Sequence, residues 1–176
     1  MDKVKNLYCI VGESGSGKTT IVDKLAETFD YKVLCSYTTR QPRHEGDTDH
    51  TFISLKEYED LPDKVATAEF NGNFYCATAE QVEESELYVV DKQGLIELKE
   101  KYKGNKCIVA IYIQVPMEVR LERMLRRGDG SDKVWDRLRH DYEAFQGIEE
   151  LTDYTLDGIS PRCWFDVACL IDEMEG

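Results

Sequence analysis

The feature that most constrains this chain is a glycine-rich octapeptide at residues 12–19, which reads GESGSGKT. It matches the pattern G-x-x-x-x-G-K-[ST], follows an apolar run at residues 7–11 and precedes a segment with helical spacing of apolar residues. Glycines allow backbone N–H groups to curve around phosphate oxygens, and the N-terminus of the following helix adds a positive partial charge. The sequence therefore predicts a phosphate-binding loop between a strand and a helix.

Individual residues of this loop have expected chemical roles. Lys18 is expected to reach the β- and γ-phosphates of a nucleoside triphosphate, and Thr19 is expected to ligate Mg²⁺. We therefore expect a nucleoside triphosphate held with Mg²⁺ and no tightly bound organic cofactor. The residues of this segment assigned to the triphosphate are Gly12, Glu13, Ser14, Gly15, Ser16, Gly17, Lys18, Thr19 and Thr20.

A GTPase is the first alternative, because a phosphate loop identifies a nucleotide and not a reaction. Residues 91–94 read DKQG after an apolar run, which matches the DxxG motif of GTPases. GTPases read guanine with an NKxD motif, however, and residues 105–108 read NKCI, which lacks the aspartate. The sequence therefore disfavours a GTPase.

Apolar runs with strand and helix periods alternate along the chain. Buried strands separated by helices favour a mainly parallel sheet covered on both faces, and residues 37–82 interrupt the alternation with short strands. The predicted strands are 4–11, 32–36, 50–53, 65–70, 74–77, 87–91, 107–115 and 164–171. The predicted helices are 18–29, 94–102, 116–128 and 132–145, the last with Ser131 as N-cap, and residues 147–162 are expected to be a polar insertion.

Two arginines, Arg40 and Arg43, lie on a predicted loop after a strand. Arginine can hold a terminal phosphate dianion through paired N–H donors. An isolated pair of this kind would more often be solvated surface side chains, so the signal depends on the motifs around it.

Four motifs in order make the sequence resemble the guanylate kinase family of nucleoside monophosphate kinases, from the phosphate loop to about residue 170. Besides that loop, the family's S-x-x-x-R-x-P-R stretch falls on residues 36–43, its GxxYG[TS] segment on 72–77 and its D-x-Q-G on 91–94. The resemblance implies an ATP-dependent kinase that transfers the γ-phosphate to GMP or dGMP and releases ADP with GDP or dGDP.

The resemblance also implies roles for single residues. Arg40, Arg43 and Tyr75 would hold the acceptor monophosphate, and Ser36 and Asp91 would contact its base. A histidine replaces the family's second phosphate-binding tyrosine and can still donate to phosphate. The implied monophosphate-binding residues are Ser36, Arg40, Arg43, His50, Tyr75, Asp91 and Gly94, and the implied catalytic residues are Lys18, Arg40, Arg127 and Arg137.

Two positions depart from the family where guanine is read. The family's guanine-reading glutamate falls on Ala66, and its threonine or serine falls on Ala77. Loss of a charged hydrogen bond is worth roughly 1.5–3 kcal/mol. Glu69 is expected on the face of its strand opposite Ala66, because side chains alternate along a strand. A different or modified nucleoside monophosphate therefore remains an alternative acceptor.

A short lid is expected at residues 123–138. Residues 117–125 carry an apolar stripe at helical spacing, and Arg120, Arg123 and Arg127 share an adjacent face. Residues 128–130 read GDG, a hinge-like break before Arg137. The family's lid arginines fall on Arg123, Arg127 and Arg137, of which the first two complete the ATP-binding set. Such cations would offset the repulsion between two phosphorylated substrates, so no dedicated general base is expected.

We predict a single α/β domain with a P-loop kinase fold over residues 1–176. Its central parallel sheet is flanked by helices, and it carries a small inserted β-rich monophosphate-binding subdomain and a short lid. The core is expected at residues 1–35, 84–122 and 139–176, the insertion at 36–83 and the lid at 123–138.

Composition and net charge limit the classes of partner that the protein is expected to bind. The net charge of −13 makes the chain a poor partner for nucleic acid or an anionic membrane, and its longest uncharged apolar run, residues 107–113, is too short to span a bilayer. The six cysteines form no CxxC pair and are expected to be buried thiols in a reducing compartment. We expect a cytoplasmic monomer or homodimer whose partners are ATP and a nucleoside monophosphate.

A binding module is the remaining alternative, because guanylate kinase-like domains also occur in scaffold proteins that have lost catalysis. This chain retains Lys18, Thr19, Arg40, Arg43 and the lid arginines. Their retention favours an enzyme.

Overall fold

Strands and helices alternate through the residues that the computed structural model describes, which are 5–42, 44–70 and 72–176. The strands are β1 (Asn6–Val11), β2 (Tyr37–Thr38), β3 (Thr51–Phe52), β4 (Lys64–Phe70), β5 (Asn73–Thr78), β6 (Leu87–Val89), β7 (Cys107–Gln114) and β8 (Tyr154–Asp157). The α-helices are α1 (Lys18–Phe29), α2 (Leu55–Asp60), α3 (Ala79–Glu84), α4 (Lys92–Lys101), α5 (Met117–Arg126), α6 (Ser131–Ala144) and α7 (Cys163–Glu175). A 3-10 turn, Ile148–Glu150, follows α6.

The larger sheet is parallel throughout, with the strand order β6-β1-β7-β8. All residues of β1 are buried, and their side chains alternate between two core clusters. Cys9 and Val11 pack in the cluster that includes Leu95 of α4, whereas Ile10 packs in the cluster that includes Leu25 of α1. The predicted parallel sheet with helices on both faces is therefore confirmed.

A second sheet lies between β1 and β6 along the chain, within residues 37–78, and has the strand order β3-β2-β5-β4. β2 pairs in parallel with β3, while β5 pairs antiparallel with both β2 and β4. β4 is one of the two edge strands and has a register irregularity between Lys64 and Ala66. This sheet agrees with the β-rich insertion expected in the fold.

The predictions for the C-terminal part were wrong at two places. Residues 164–171, predicted as a strand, belong to α7, whose buried residues Cys163, Val167 and Ile171 recur at helical spacing. The last strand of the parallel sheet is instead β8, inside the segment expected to be a polar insertion. Its side chains are mostly exposed because it is an edge strand, and this exposure hid it in the sequence.

Smaller differences concern short elements. The strand predicted at 32–36 is only an isolated bridge between Val33 and Leu87. Ser131 is the first residue of α6, and Gly130 takes the N-cap position without a side-chain bond. The short helices α2 and α3 were not predicted, although both begin with capping boxes. Residue 4 of the first predicted strand lies outside the described residues.

The cysteines only partly follow the prediction. All six are free thiols, and Cys9, Cys76 and Cys163 are buried, but Cys107 and Cys169 are exposed. In the described part of the chain, no helix has the length and apolar character needed to cross a bilayer.

Candidate active site

The phosphate-binding loop connects β1 to α1, as the sequence predicts. Gly15 and Gly17 have φ angles of +80° and +91°, which residues with side chains rarely adopt. A Cβ on Gly15 would also lie 2.9 Å from the backbone oxygen of Arg120 at the neighbouring helix α5. The shape of the loop therefore depends on glycines that the motif specifies.

Lys18 begins α1 and turns its ammonium group back over the loop. Its Nζ donates to the backbone oxygen of Glu13 at 3.0 Å and to Ser16 Oγ at 3.5 Å. Burial lowers the pKa of Lys18 to about 8, and the carboxylates of Asp141 and Glu13 oppose that shift. The lysine is thus mostly protonated at neutral pH and lies where a bound phosphate would meet it.

Two clefts meet at this loop, one of about 610 Å³ and one of about 720 Å³. We call them the first and the second cleft. Ser14 and Lys18 line both of them. A phosphoryl group passing between the clefts would therefore lie beside the lysine that the sequence assigns to the β- and γ-phosphates.

The first cleft collects most of the residues assigned to ATP. The exceptions are Gly12, which lines the second cleft, and Glu13, which lines neither of the two. The carboxylate of Glu13 instead accepts a hydrogen bond from the hydroxyl of Tyr112 at 3.1 Å. The predicted residues that line the first cleft are Ser14, Gly15, Ser16, Gly17, Lys18, Thr19, Thr20, Arg123, Arg127 and Arg137.

The three lid arginines lie at the first cleft in different ways. Arg123 is fixed, because its guanidinium donates to the backbone oxygens of Ser16 at 3.2 Å and Gly158 at 2.9 Å. Arg127 and Arg137 both bind the carboxylate of Asp129, and this pairing holds the pKa of Asp129 below its usual range. Arg127 and Arg137 are more exposed than Arg123, so their contacts are the ones that can be exchanged.

A segment late in the chain forms the opposite wall of the first cleft. Gly158, Ser160 and Trp164 line it, and the Nζ of Lys24 lies 5.9 Å from the centroid of the Trp164 ring. A Cβ on Gly158 would lie 2.4 Å from a methyl group of Val115, so this wall is packed closely against the end of the parallel sheet.

The second cleft contains a polar group of side chains from the inserted sheet. Ser36 Oγ lies 2.9 Å from His50 Nδ1, and the His50 ring makes an edge contact with Tyr75 at a centroid distance of 5.4 Å. On the opposite wall Asp91 caps α4 by accepting the N–H of Gly94 at 2.7 Å. The structure therefore places these five predicted monophosphate-binding residues around one cleft.

Arg40 is the predicted residue that the structure does not bring to the second cleft. Its guanidinium forms an ion pair with the buried carboxylate of Asp47 at 3.2 Å and lies over the ring of Phe52 at 5.1 Å. Its Nε is buried and has no hydrogen-bond partner among the described residues. Arg43 lies outside the described residues.

The wall formed by β4 and β5 has little polarity where the family reads guanine. Ala66 and Ala77 face each other in register and are 4% and 0% exposed. Thr67 lines the cleft, but its hydroxyl donates to Glu97 at 2.5 Å. Glu69, expected on the face of β4 opposite Ala66, also lines the second cleft, because residues from both faces of this strand border the opening.

A buried ionic cluster beneath the loop was missed in the sequence. Arg120 lies with one guanidinium nitrogen 3.6 Å from Asp141 and the other 3.9 Å from Glu13, and Asp141 accepts the N–H of Ser14 at 2.7 Å. The sequence holds a usable signal for Asp141, because it continues the apolar stripe of Val134 and Leu138 along α6. An acid in such a stripe needs a buried partner.

Comparisons with known proteins identify relatives of this chain. The sequence profile of a family described as an AAA domain matches residues 9–146. The guanylate kinase of Geobacter metallireducens is 37% identical over 145 residues, which cover 74% of this chain and 70% of the relative. The guanylate kinase of Prochlorococcus marinus subsp. pastoris is 30% identical over 158 residues, or 81% of this chain and 84% of the relative.

A solved structure has a similar fold. The crystal structure of guanylate kinase from Anaplasma phagocytophilum matches with a TM-score of 0.67, covers 98% of this chain and 88% of that chain, and is 19% identical. At that identity the match speaks for the fold alone, while the sequence relatives speak for the family. The chain, with its P-loop kinase fold, therefore belongs to the guanylate kinase family.

Proposed function

We propose that this protein transfers the γ-phosphate of ATP to GMP or dGMP, which yields ADP and GDP or dGDP. The observation that carries the proposal is the meeting of the two clefts at Ser14 and Lys18. A donor in the first cleft and an acceptor in the second would face each other with their phosphates across this point. The similarity to guanylate kinases of other organisms supports the same reaction.

Charge explains why the site needs its cations. Two unit charges 4 Å apart repel by roughly 4 kcal/mol at an effective dielectric constant near 20, and the two nucleotides together bring about six negative charges. Lys18 and Arg123 supply fixed positive charge at the first cleft, and Mg²⁺ supplies more when bound. Transfer then requires in-line positioning and exclusion of water rather than a covalent participant.

The residues of the first cleft fit Mg²⁺ held together with a triphosphate. Thr19 is exposed in the cleft directly after Lys18, and its hydroxyl is free of hydrogen bonds to other described residues. Mg²⁺ usually takes one or two protein oxygens and fills its other positions with phosphate oxygens and waters. Thr19 would hold the ion, whose chemistry would be to neutralise charge on the phosphates.

For the arginines to reach the substrates, they would have to exchange their present carboxylate partners for phosphate groups. Arg40 would leave Asp47 to reach the acceptor phosphate in the second cleft. Arg127 and Arg137 would leave Asp129 to reach the triphosphate. Gly128, at φ +91°, and Gly130 flank Asp129 and give the backbone freedom for that movement.

A second candidate is transfer to a monophosphate with a different base. It is favoured by one observation, the burial of Ala66 and Ala77 where the family presents hydrogen-bonding side chains. In this case Glu69 and Asp91, which border the same cleft, would face the base.

The test is a coupled assay of ADP release with Mg·ATP and each of GMP, dGMP, AMP, UMP, CMP and dTMP. We expect GMP or dGMP to give the highest kcat/KM. Turnover with another monophosphate alone would replace the proposed acceptor by the second candidate. Absence of turnover with every acceptor, from protein that binds Mg·ATP, would overturn the proposed kinase activity.

A further inference from the structure

An aspartate of α6 is bonded to the phosphate-binding loop. Asp141 lies in the last turn of the helix, is 6% exposed, and accepts the backbone N–H of Ser14 through Oδ2 at 2.7 Å. It also lines the second cleft. An acidic side chain this close to bound phosphates opposes their binding by repulsion, so its position needs a physical reason.

The first part of that reason is a fixed counter-ion. Arg120 of α5 is 5% exposed, and its Nε donates to the backbone oxygen of Val115 at 3.1 Å. One of its terminal nitrogens lies 3.6 Å from Asp141 Oδ2 and makes no hydrogen bond within the described part of the chain. The guanidinium therefore balances the carboxylate while leaving Oδ2 available to the Ser14 amide.

The second part of the reason for the position of Asp141 is the location of the Ser14 amide. Ser14 shares with Lys18 the junction of the two clefts, where the transferred group would lie. Glycines at Gly12, Gly15 and Gly17 make the loop backbone deformable, so its middle needs an external contact to hold one conformation. Asp141 supplies this contact from α6, and Glu13 supplies a neighbouring one through the Tyr112 hydroxyl.

We propose that Asp141 is a positioning residue, whose hydrogen bond to the Ser14 amide fixes the phosphate-binding loop at the point of phosphoryl transfer. The inference rests on the proposed function for its kinetic consequences. The hydrogen bond and the charge of Asp141 act on different steps, the bond favouring turnover and the charge opposing nucleotide binding. The bond holds the loop in a reactive geometry, while the charge weakens nucleotide binding.

These opposite effects give a kinetic signature. A displacement of about 1 Å at a transfer site can lower the rate by a factor of about 100. We expect Asp141→Ala to lower kcat by about 10- to 100-fold, while the affinity for Mg·ATP stays equal or rises. A role in folding alone would instead lower the melting temperature and the active fraction together, without this split between kcat and KM.

A conservative variant separates the bond from the charge. Asp141→Asn keeps a side-chain carbonyl oxygen that can accept the Ser14 N–H, so we expect its kcat within about threefold of the unsubstituted protein. Glu143→Gln is the matched control, since Glu143 is exposed on the same helix. If Asp141→Ala does not fold, Asp141→Leu takes its place, because leucine suits the apolar stripe of Val134 and Leu138.

The amide proton of Ser14 gives a readout that does not depend on the acceptor or on turnover. In ¹⁵N-labelled protein we expect its resonance to move upfield in Asp141→Ala and to stay close to its original position in Asp141→Asn. A kcat unchanged in Asp141→Ala, an Asp141→Asn variant as slow as Asp141→Ala, or an unmoved Ser14 resonance would each overturn the inference. If no monophosphate is phosphorylated at all, the proposed function fails, and the Ser14 resonance still decides whether Asp141 holds the loop.

Discussion

The two clefts are built by different means. One wall of the first cleft is a continuous stretch of sequence, residues 14–21, with left-handed glycines at Gly15 and Gly17, and the rest of the lining comes from later in the chain. The second is assembled from the inserted sheet, the start of α4 and the end of α6, and it depends on side chains. Under the proposed function, recognition of the donor phosphates would depend on local backbone geometry, whereas recognition of the acceptor would depend on individual side chains.

The largest effect is expected where the two clefts share a residue. Lys18→Ala should lower kcat by about 100- to 1000-fold with any acceptor, because the transferred group loses a preorganised cation. Lys32→Ala is the control, since its exposed ion pair with Glu84 contributes little. Steady-state kinetics with Mg·ATP would measure kcat for both variants. Turnover preserved in Lys18→Ala would show that the residue shared by the two clefts does not take part in phosphoryl transfer.

A smaller effect should be confined to the second cleft. Arg40→Ala should raise KM for the acceptor monophosphate by about 10- to 100-fold, which corresponds to a charged hydrogen bond worth roughly 1.5–3 kcal/mol. KM for Mg·ATP should remain the same. Titration of each substrate measures this difference.

Arg40 also contributes to the fold through Asp47 and Phe52, so Arg40→Lys serves as its matched variant and retains the charge. Thermal melting of both variants shows whether they remain folded. A rise in KM for Mg·ATP alone would place Arg40 with the donor and break the distinction between the clefts.

The smallest effect should be confined to the first cleft. Asp129→Asn releases Arg127 and Arg137 from a largely exposed ion pair, and such pairs are worth about 1 kcal/mol or less. KM for Mg·ATP should fall by at most about fivefold, without a change in KM for the acceptor. Glu122→Gln, which removes the exposed partner of Arg126, is the control. A larger response of the acceptor than of ATP would contradict the assignment of these arginines to the donor side.

The same contrast explains what the sequence could predict. The position of the loop at residues 12–19, between β1 and α1, was predicted correctly because its motif is contiguous and two of its glycines adopt positive φ angles. The position of Arg40 was not predicted. Its pairing with Asp47 depends on the tertiary structure, and the sequence does not show whether the guanidinium binds a protein carboxylate or a phosphate. β8 was missed because an exposed edge strand lacks the apolar period that identifies buried strands.

Asp141 shows a further limit. Its helical spacing with Val134 and Leu138 places it on the packed face of α6, but nothing in the spacing reveals that Ser14 and Arg120 meet it there. Periodicity identifies which side of a helix is buried. It does not identify which atoms from another helix and a distant loop complete the contact.

The wall formed by Gly158, Ser160 and Trp164 has a consequence for the order of events during synthesis. The loop at residues 12–19 leaves the ribosome early, but the surface facing it across the first cleft is made some 140 residues later. Until that surface has docked on the sheet, the nascent chain holds a phosphate loop with one side open to water. Under the proposed function, the ability to hold the donor nucleotide would therefore be gained late in translation, once this wall has formed.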